Sequence, residues 1–327
     1  MSKRMTVNVG ITMGDPAGIG PEIILKAVRQ FLRGPKTGGN VKLSIFASPA
    51  VLLQTARDLD LISAYRVIKD MIVDCSSGVR FRYGKPTRET ARAAMASIDR
   101  ALEPEYSIDV LITPPIVKEA VRTFLPDFVG HTEYLAAHYG MDRHQHAMMG
   151  LSSDHKRIML VTTHLPIKCV AAFITARNVF KKIMLLDWGL RKYFGIARPE
   201  IGVAAFNPHV FEFSRGEDEK ILKAVLEARS NRVLARGPFS ADSLFTRVYD
   251  GFLAMFHDQA FGFLKARKGG LNLTLGLPIV RLSPLHGTAL DIAGKNVADY
   301  TGMTAALREG VKIYKNMQRS RDAEKKG

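Results

Sequence analysis

A β-rich run from Thr6 to Met13 breaks into the glycine- and proline-laden loop GDPAGIGPE, then resumes as the helical pattern IILKAVRQFL. This strand, loop and helix constrain the fold more than any other feature, because strands that alternate with helices form a sheet whose faces the helices cover. Pro21 suits the first helical turn, where its missing N–H would have had no partner anyway. A second unit follows: Lys42 to Ala47 reads as a strand and Pro49 to Leu59 as a helix. Thr87 to Leu102 predicts a third helix, and DVLIT, Asp109 to Thr113, a compact strand stopped by Pro114 and Pro115.

The middle of the chain changes texture, with five of the nine histidines between Leu125 and His155. Two apolar runs, RIMLVTT and IKCVAAF, are parted only by His164, Leu165 and Pro166. So short a connection predicts antiparallel neighbours, hence a mixed sheet. Ala176 to Phe194 and Glu217 to Arg229 read as helices, and Ile201 to Phe206 and Gly251 to Phe256 as strands. Thr301 to Tyr314 predicts a last helix before a solvated tail, NMQRSRDAEKKG. No repeat, heptad or low-complexity linker is present, so a division into lobes requires several chain crossings.

With 327 residues, 46% hydrophobic and 24% charged, the chain has more apolar material than disordered chains carry and can build one large α/β body or two lobes. The balance of 47 Lys+Arg against 31 Asp+Glu gives +16, a field that suits nucleic acid, an anionic membrane or small anionic metabolites. The basic residues, among them Lys36, Lys42, Arg80, Lys181, Arg191, Lys265, Arg267 and Lys268, are scattered. They come with no zinc-finger spacing, RNA-binding aromatic signature or basic arm, which argues against a specific nucleic-acid site. Two distant cysteines, Cys75 and Cys169, form neither a metal knuckle nor a disulfide framework. No apolar run approaches the roughly 20 residues of a spanning helix. The opening MSKRMTVNVGITMG does not read as a signal peptide, so the expected location is the cytoplasm.

His164, His209 and His257 stand beside apolar strands in the contexts TTHLP, FNPHV and MFHDQ. Three imidazoles can hold a divalent metal and leave a position open for water or substrate; three unrelated loop histidines would leave the same pattern. GDPAGIGPE offers either a phosphate cradle or a plain tight turn, and meets neither standard nucleotide motif. In GHTE, His131 or Thr132 could bond an anionic substrate, with helix capping by Thr132 as the rival. Lys265 as a point charge, Asn272 as a neutral donor and Arg281 as a rigid fork suit phosphate oxygens, or are separate surface residues. Asp242 in SADSLF could position a hydroxyl, tune an imidazole or cap a short helix. The segment LHGTALDIAGKNVADYTG predicts a loop–helix–loop, whose His286, Gly287, Thr288, Asp291 and Gly294 could face an adenosine or serve turns and caps. No serine lies in a nucleophile elbow, so no Ser-His-Asp triad is identified.

Taken together and in order, GDPAGIGPE, GHTE, TTHLP, NPH, MFHDQ, NLTLGLPIVR and HGTALDIAG resemble the 4-hydroxythreonine-4-phosphate dehydrogenase family of vitamin B6 biosynthesis, from about Val9 to Asp299. The resemblance implies an α/β fold with two-lobed α/β/α subunits and mixed sheets, similar to isocitrate and isopropylmalate dehydrogenases, with the active site in an interlobe cleft. It implies one lobe from residues 1–123 and 292–327, carrying cofactor contacts, and another from 124–291, carrying metal, substrate and dimer contacts. By the same resemblance, His164, His209 and His257 bind the metal in a homodimer that shares the site. Zinc is favoured, with magnesium, manganese or cobalt as alternatives. His131, Thr132, Asp242, Lys265, Asn272 and Arg281 contact substrate, and His286, Gly287, Thr288, Asp291 and Gly294 contact NAD or NADP. The implied reaction is oxidation of 4-hydroxythreonine 4-phosphate at C3 with decarboxylation to 3-amino-2-oxopropyl phosphate; no proton acceptor is assigned.

Val210 and Phe211 follow NPH where the family carries a glycine-bearing stretch, and Leu282 and Leu285 replace threonine and aspartate before HGTA. These departures weaken the identity of the substrate more than the type of reaction. A dehydrogenase of 4-phosphoerythronate or 4-phosphothreonate is therefore the enzyme alternative. A basic, non-enzymatic nucleic-acid-binding protein is the alternative of another class.

Overall fold

The computed structural model describes residues 6–35, 40–75, 78–266 and 270–324; Lys36, Arg267 and Lys268 lie outside them. Six strands come first in the chain: β1 (Thr6–Thr12), β2 (Asn40–Ala47), β3 (Ile72–Asp74), β4 (Val110–Ile112), β5 (Ala147–Leu151) and β6 (Arg157–Leu160). Five more follow: β7 (Glu200–Ala204), β8 (Leu234–Phe239), β9 (Gly251–Ala254), β10 (Leu271–Leu275) and β11 (Val280–Pro284). The chain divides into two compact units, Met1–Tyr134 with Ile279–Tyr314 and Leu135–Pro278 with Lys315–Gly327. Relative to the boundaries expected from sequence, segments 124–134 and 279–291 fall in the first unit and 315–327 in the second.

In the first unit the strand order is β3-β2-β1-β4-β11, and every pairing is parallel. Parallel sheets are covered on both faces, so their strands are apolar without alternation. Val7, Val9 and Ile11 of β1 are fully buried, as are Ile23, Ile24, Leu25 and Val28 of the helix Gly20–Arg33. Each such side chain contributes about 1.5–3 kcal/mol. The helix Thr301–Glu324 lies close over β4, since a Cβ on Gly310 would come within 2.6 Å of Val110 Cγ1. GDPAGIGPE forms a tight turn, with Gly14 at φ +71, Asp15 Oδ1 accepting from Ala17 N at 2.9 Å and Asp15 O accepting from Gly18 N at 3.0 Å. The predicted loop–helix–loop at 285–300 needs correction: bends and turns fill it, without a helix. Ala289, Gly294 and Asn296 all have positive φ there, and such residues break the right-handed ladder.

In the second unit the order is β10-β5-β6-β9-β7-β8. β10 with β5 and β5 with β6 are antiparallel, and the other pairings are parallel, so this sheet is mixed. The antiparallel partner of β6 is β5, however, and not IKCVAAF. Ile167–Phe173 is a helix, entered from Pro166 at φ −55. Val170 and Ile174, four residues apart, are both buried while the residues between them are not, a spacing that follows a helical period rather than alternation. The tail is also corrected, because the last helix continues to Glu324. Met317 is buried, and Asn316 Nδ2 donates to Tyr193 O at 3.0 Å, which holds the added turns down. Among the described residues no helix is long and apolar enough to cross a membrane.

Candidate active site

The first unit carries a buried cationic group. Arg281 lies on β11, in register with Leu111 of β4, and is only 2% exposed. Its Nε and Nη2 donate to Thr113 Oγ1 at 3.0 and 2.6 Å, just beyond the end of β4. Burial pushes its pKa down to about 10, against the opposing charge of Glu133. His131 opens the helix His131–His138, and its Nε2 is buried with no hydrogen-bond partner. Burial first, then the charges of Arg281 and Lys118, hold this imidazole well below its ordinary value near 6.5, so the ring is neutral. Thr132 is buried inside the first turn rather than at the cap position.

Sequence reasoning missed Thr113 and Lys118. Thr113 was visible only as the last residue of a strand before two prolines. Lys118 begins the short helix Lys118–Arg122, and burial lowers its pKa while Glu133 opposes the shift. A Cβ on Gly130 would meet Glu133 Oε2 at 3.2 Å and Lys118 Nζ at 3.4 Å, which puts both charged ends over the residue preceding His131.

The second unit carries the imidazoles. His257 starts the helix His257–Lys265 after β9; its Nδ1 lies 2.7 Å from Asp258 Oδ1, and its ring stacks on Phe261 at 4.5 Å. The centre of the His164 ring is 6.1 Å from that of His257. Two imidazoles bound to one zinc at about 2 Å place their ring centres roughly 5–6 Å apart, and this pair stands just outside that span. Asp258 engages Nδ1, so Nε2 is the ring nitrogen of His257 not taken up by that contact. His209, at φ +57, instead has its ring 6.0 Å from that of Phe213. Among the described residues no group of three or more His, Cys, Asp or Glu could hold a metal ion. One chain therefore draws together two of the three expected imidazoles. Val210, at φ +54, is a β-branched residue in the left-handed region, at the departure noted after NPH.

The remaining expected residues are dispersed through the two units. Asp242 is exposed in the short helix Ala241–Leu244, where its Oδ1 accepts from Ser243 N at 2.7 Å. Lys265 is exposed at the end of its helix, whereas Asn272 on β10 has a buried Oδ1 without a partner. His286 keeps Nε2 buried and unpartnered while its Nδ1 lies 3.1 Å from Gly287 O. Thr288 O accepts from Ile19 N at 3.1 Å, which ties the expected cofactor segment to the N-terminal loop. Gly287 and Asp291 are exposed, and Gly294, at φ +79, lies where a Cβ would come within 2.6 Å of the Tyr83 ring. Leu282 is fully buried in β11, so its departure from the family pattern is part of the core; Leu285 is half-buried.

Residues 23–309 match the family model described as pyridoxal phosphate biosynthetic protein PdxA. The chain belongs to this family. A 4-hydroxythreonine-4-phosphate dehydrogenase from Bacteroides thetaiotaomicron is 34% identical over 97% of this chain and 91% of its own length. The crystal structure of a 4-hydroxythreonine-4-phosphate dehydrogenase from Burkholderia phymatum superposes with a TM-score of 0.72 at 33% identity, covering 94% of this chain and 98% of the other. Isocitrate dehydrogenase from Methylococcus capsulatus, at 13% identity and a TM-score of 0.50 over 98% of this chain and 89% of its own, shares the fold. Membership in the PdxA family makes the chain an oxidoreductase of the dehydrogenase type.

Proposed function

We propose that the chain oxidises 4-hydroxythreonine 4-phosphate at C3 with NAD or NADP, with loss of carbon dioxide to give 3-amino-2-oxopropyl phosphate. The observation that carries this reading is the buried guanidinium of Arg281, fixed on Thr113 and acting on the unpartnered imidazole of His131. A cation and a neutral donor oriented before ligand arrives suit a phosphate oxygen, because neither has to reorganise. Thr132 supports the same group from the first helical turn, where the helix dipole favours an anion. Asn272, with its buried Oδ1, and the exposed Lys265 and Asp242 supply further polar contacts to substrate. His286, Gly287, Thr288, Asp291 and Gly294 lie in the segment proposed to meet the cofactor.

His164 and His257 would hold two positions of a divalent cation, zinc favoured, and His209 completes the set in a homodimer that shares the site. When bound, that cation supplies the Lewis acidity that lowers the pKa of a substrate hydroxyl. Asp258 orients His257 through Nδ1, and the stacked Phe261 restricts rotation of the ring. Arg281 and His131 hold the phosphate end and so restrict the orientations open to the substrate.

The test is a panel of 4-phosphorylated four-carbon acids assayed for NAD and NADP reduction with zinc, magnesium, manganese or cobalt. The expected result is the highest kcat/KM for 4-hydroxythreonine 4-phosphate. Faster turnover of 4-phosphoerythronate or 4-phosphothreonate moves the assignment to the alternative substrates. Salt-sensitive nucleic-acid binding with no dehydrogenase activity would overturn the enzymatic reading altogether.

A further inference from the structure

The charge around His131 does not balance. Lys118 and Arg281 both act on the imidazole as cations, and Glu133 is the carboxylate that opposes each of them. The imidazole itself is neutral and presents a buried Nε2 without a partner. Arg122 and Glu119 also act on Lys118, with opposite signs, so three cations face two carboxylates and one positive charge is in surplus in a half-buried setting, where counter-ions screen it poorly. An anion is the economical complement.

We propose that Lys118 is a phosphate-binding residue, its ammonium joining Arg281 and His131 Nε2 around one phosphate dianion. This rests on the reading above that the substrate is a phosphorylated acid, and it adds a residue to that site. Gly130 lies at the centre of the arrangement. The Lys118 ammonium and the Glu133 carboxylate both reach this residue, which immediately precedes the His131 helix. The three groups also have different capacities. Arg281 already spends Nε and Nη2 on Thr113, which makes it a fixed anchor. Lys118 provides a compact charge on a flexible stem, able to follow the phosphate as it settles. His131, held neutral, can donate one directed N–H in its Nε2–H tautomer without adding further charge. The competing role for Lys118 is purely structural, as the counter-ion of Glu133.

Full-length Lys118→Met, Lys118→Arg and Glu133→Gln enzymes separate these roles. Binding of inorganic phosphate is followed by calorimetry, and steady-state kinetics use the phosphorylated acid with saturating cofactor and metal. Lys118→Met should raise the phosphate Kd and the substrate KM about tenfold or more, with KM rising further than kcat falls, and Lys118→Arg should recover most of the loss. Glu133→Gln, which removes the competing carboxylate, should tighten phosphate binding about threefold. A phosphate Kd for Lys118→Met within about twofold of wild type would sink the proposal, whatever its melting temperature. If that variant does not fold, weaker phosphate binding in Glu133→Gln has the same consequence. A wild-type enzyme that binds phosphate through Lys118 but turns over no phosphorylated acid breaks the proposed reaction and leaves this inference standing; the reverse pattern breaks only the inference.

Discussion

The two units prepare their chemistry differently. In the first, Arg281 is buried, bonded twice to Thr113 and set by the register of a parallel sheet, so its geometry exists before any ligand binds. In the second, His164 and His209 are exposed and only His164 and His257 stand near one another. A sheet strand can aim a side chain to within a fraction of an ångström, whereas loop residues after strands become ordered by what they bind. The contrast is between a group that the fold finishes and a set of side chains that it leaves apart.

The most severe way to test that contrast is Arg281→Met. Removing a buried, bonded charge costs about 2–5 kcal/mol, so kcat/KM should fall roughly 30-fold to several thousand-fold. Zinc or cobalt affinity, read by calorimetry, should be unchanged; a parallel loss of metal binding would erase the distinction between the units. Next, His257→Ala should abolish tight metal binding, and Asp258→Asn, which alters only the partner of His257, should weaken it about 10–100-fold. Phosphate binding should survive both substitutions.

A pH series sharpens the first half of the comparison. The pKa of His131 is lower folded than unfolded, so below about 6.5 the unfolded chain binds more protons at this residue. Its contribution to stability is complete above that pH and is lost as pH falls toward the depressed folded value. His131→Asn should flatten the slope of unfolding free energy against pH in this window, and an unchanged slope would contradict a buried neutral ring. The smallest effect is expected at Val210, where a left-handed β-branched residue costs about 1–3 kcal/mol and glycine recovers part of that. Val210→Gly should raise the melting temperature by a few degrees. A fall would show that Val210 makes contacts worth more than its backbone strain.

Much of the architecture was legible because it depends on periodicity. β1, β2 and the helices after them carry long apolar patterns with glycine or proline at their ends, and these appear close to where the sequence puts them. IKCVAAF misled because a short apolar run is ambiguous between strand and helix, and the burial of Val170 together with Ile174, four residues on, decides it. The tail misled because its polar composition hides the buried Met317 and Asn316, whose partner Tyr193 is distant in sequence. At the site, motif order picked out Arg281 and His131. It could not pick out Thr113 or Lys118, since a hydroxyl that anchors a guanidinium and an ammonium above a glycine become meaningful only when remote segments meet. The same limit hid the spacing of the imidazoles.

The chain leaves the first unit after Tyr134, returns at Ile279 and leaves again after Tyr314. Neither unit is thus a contiguous stretch that a single gene break could release. A fragment ending near residue 278 would keep β4 but lose β11, the strand that bears Arg281 and pairs with it. Split-protein reconstitution should therefore require both pieces of the first unit to be supplied together, and domain shuffling would have to exchange the whole polypeptide or nothing.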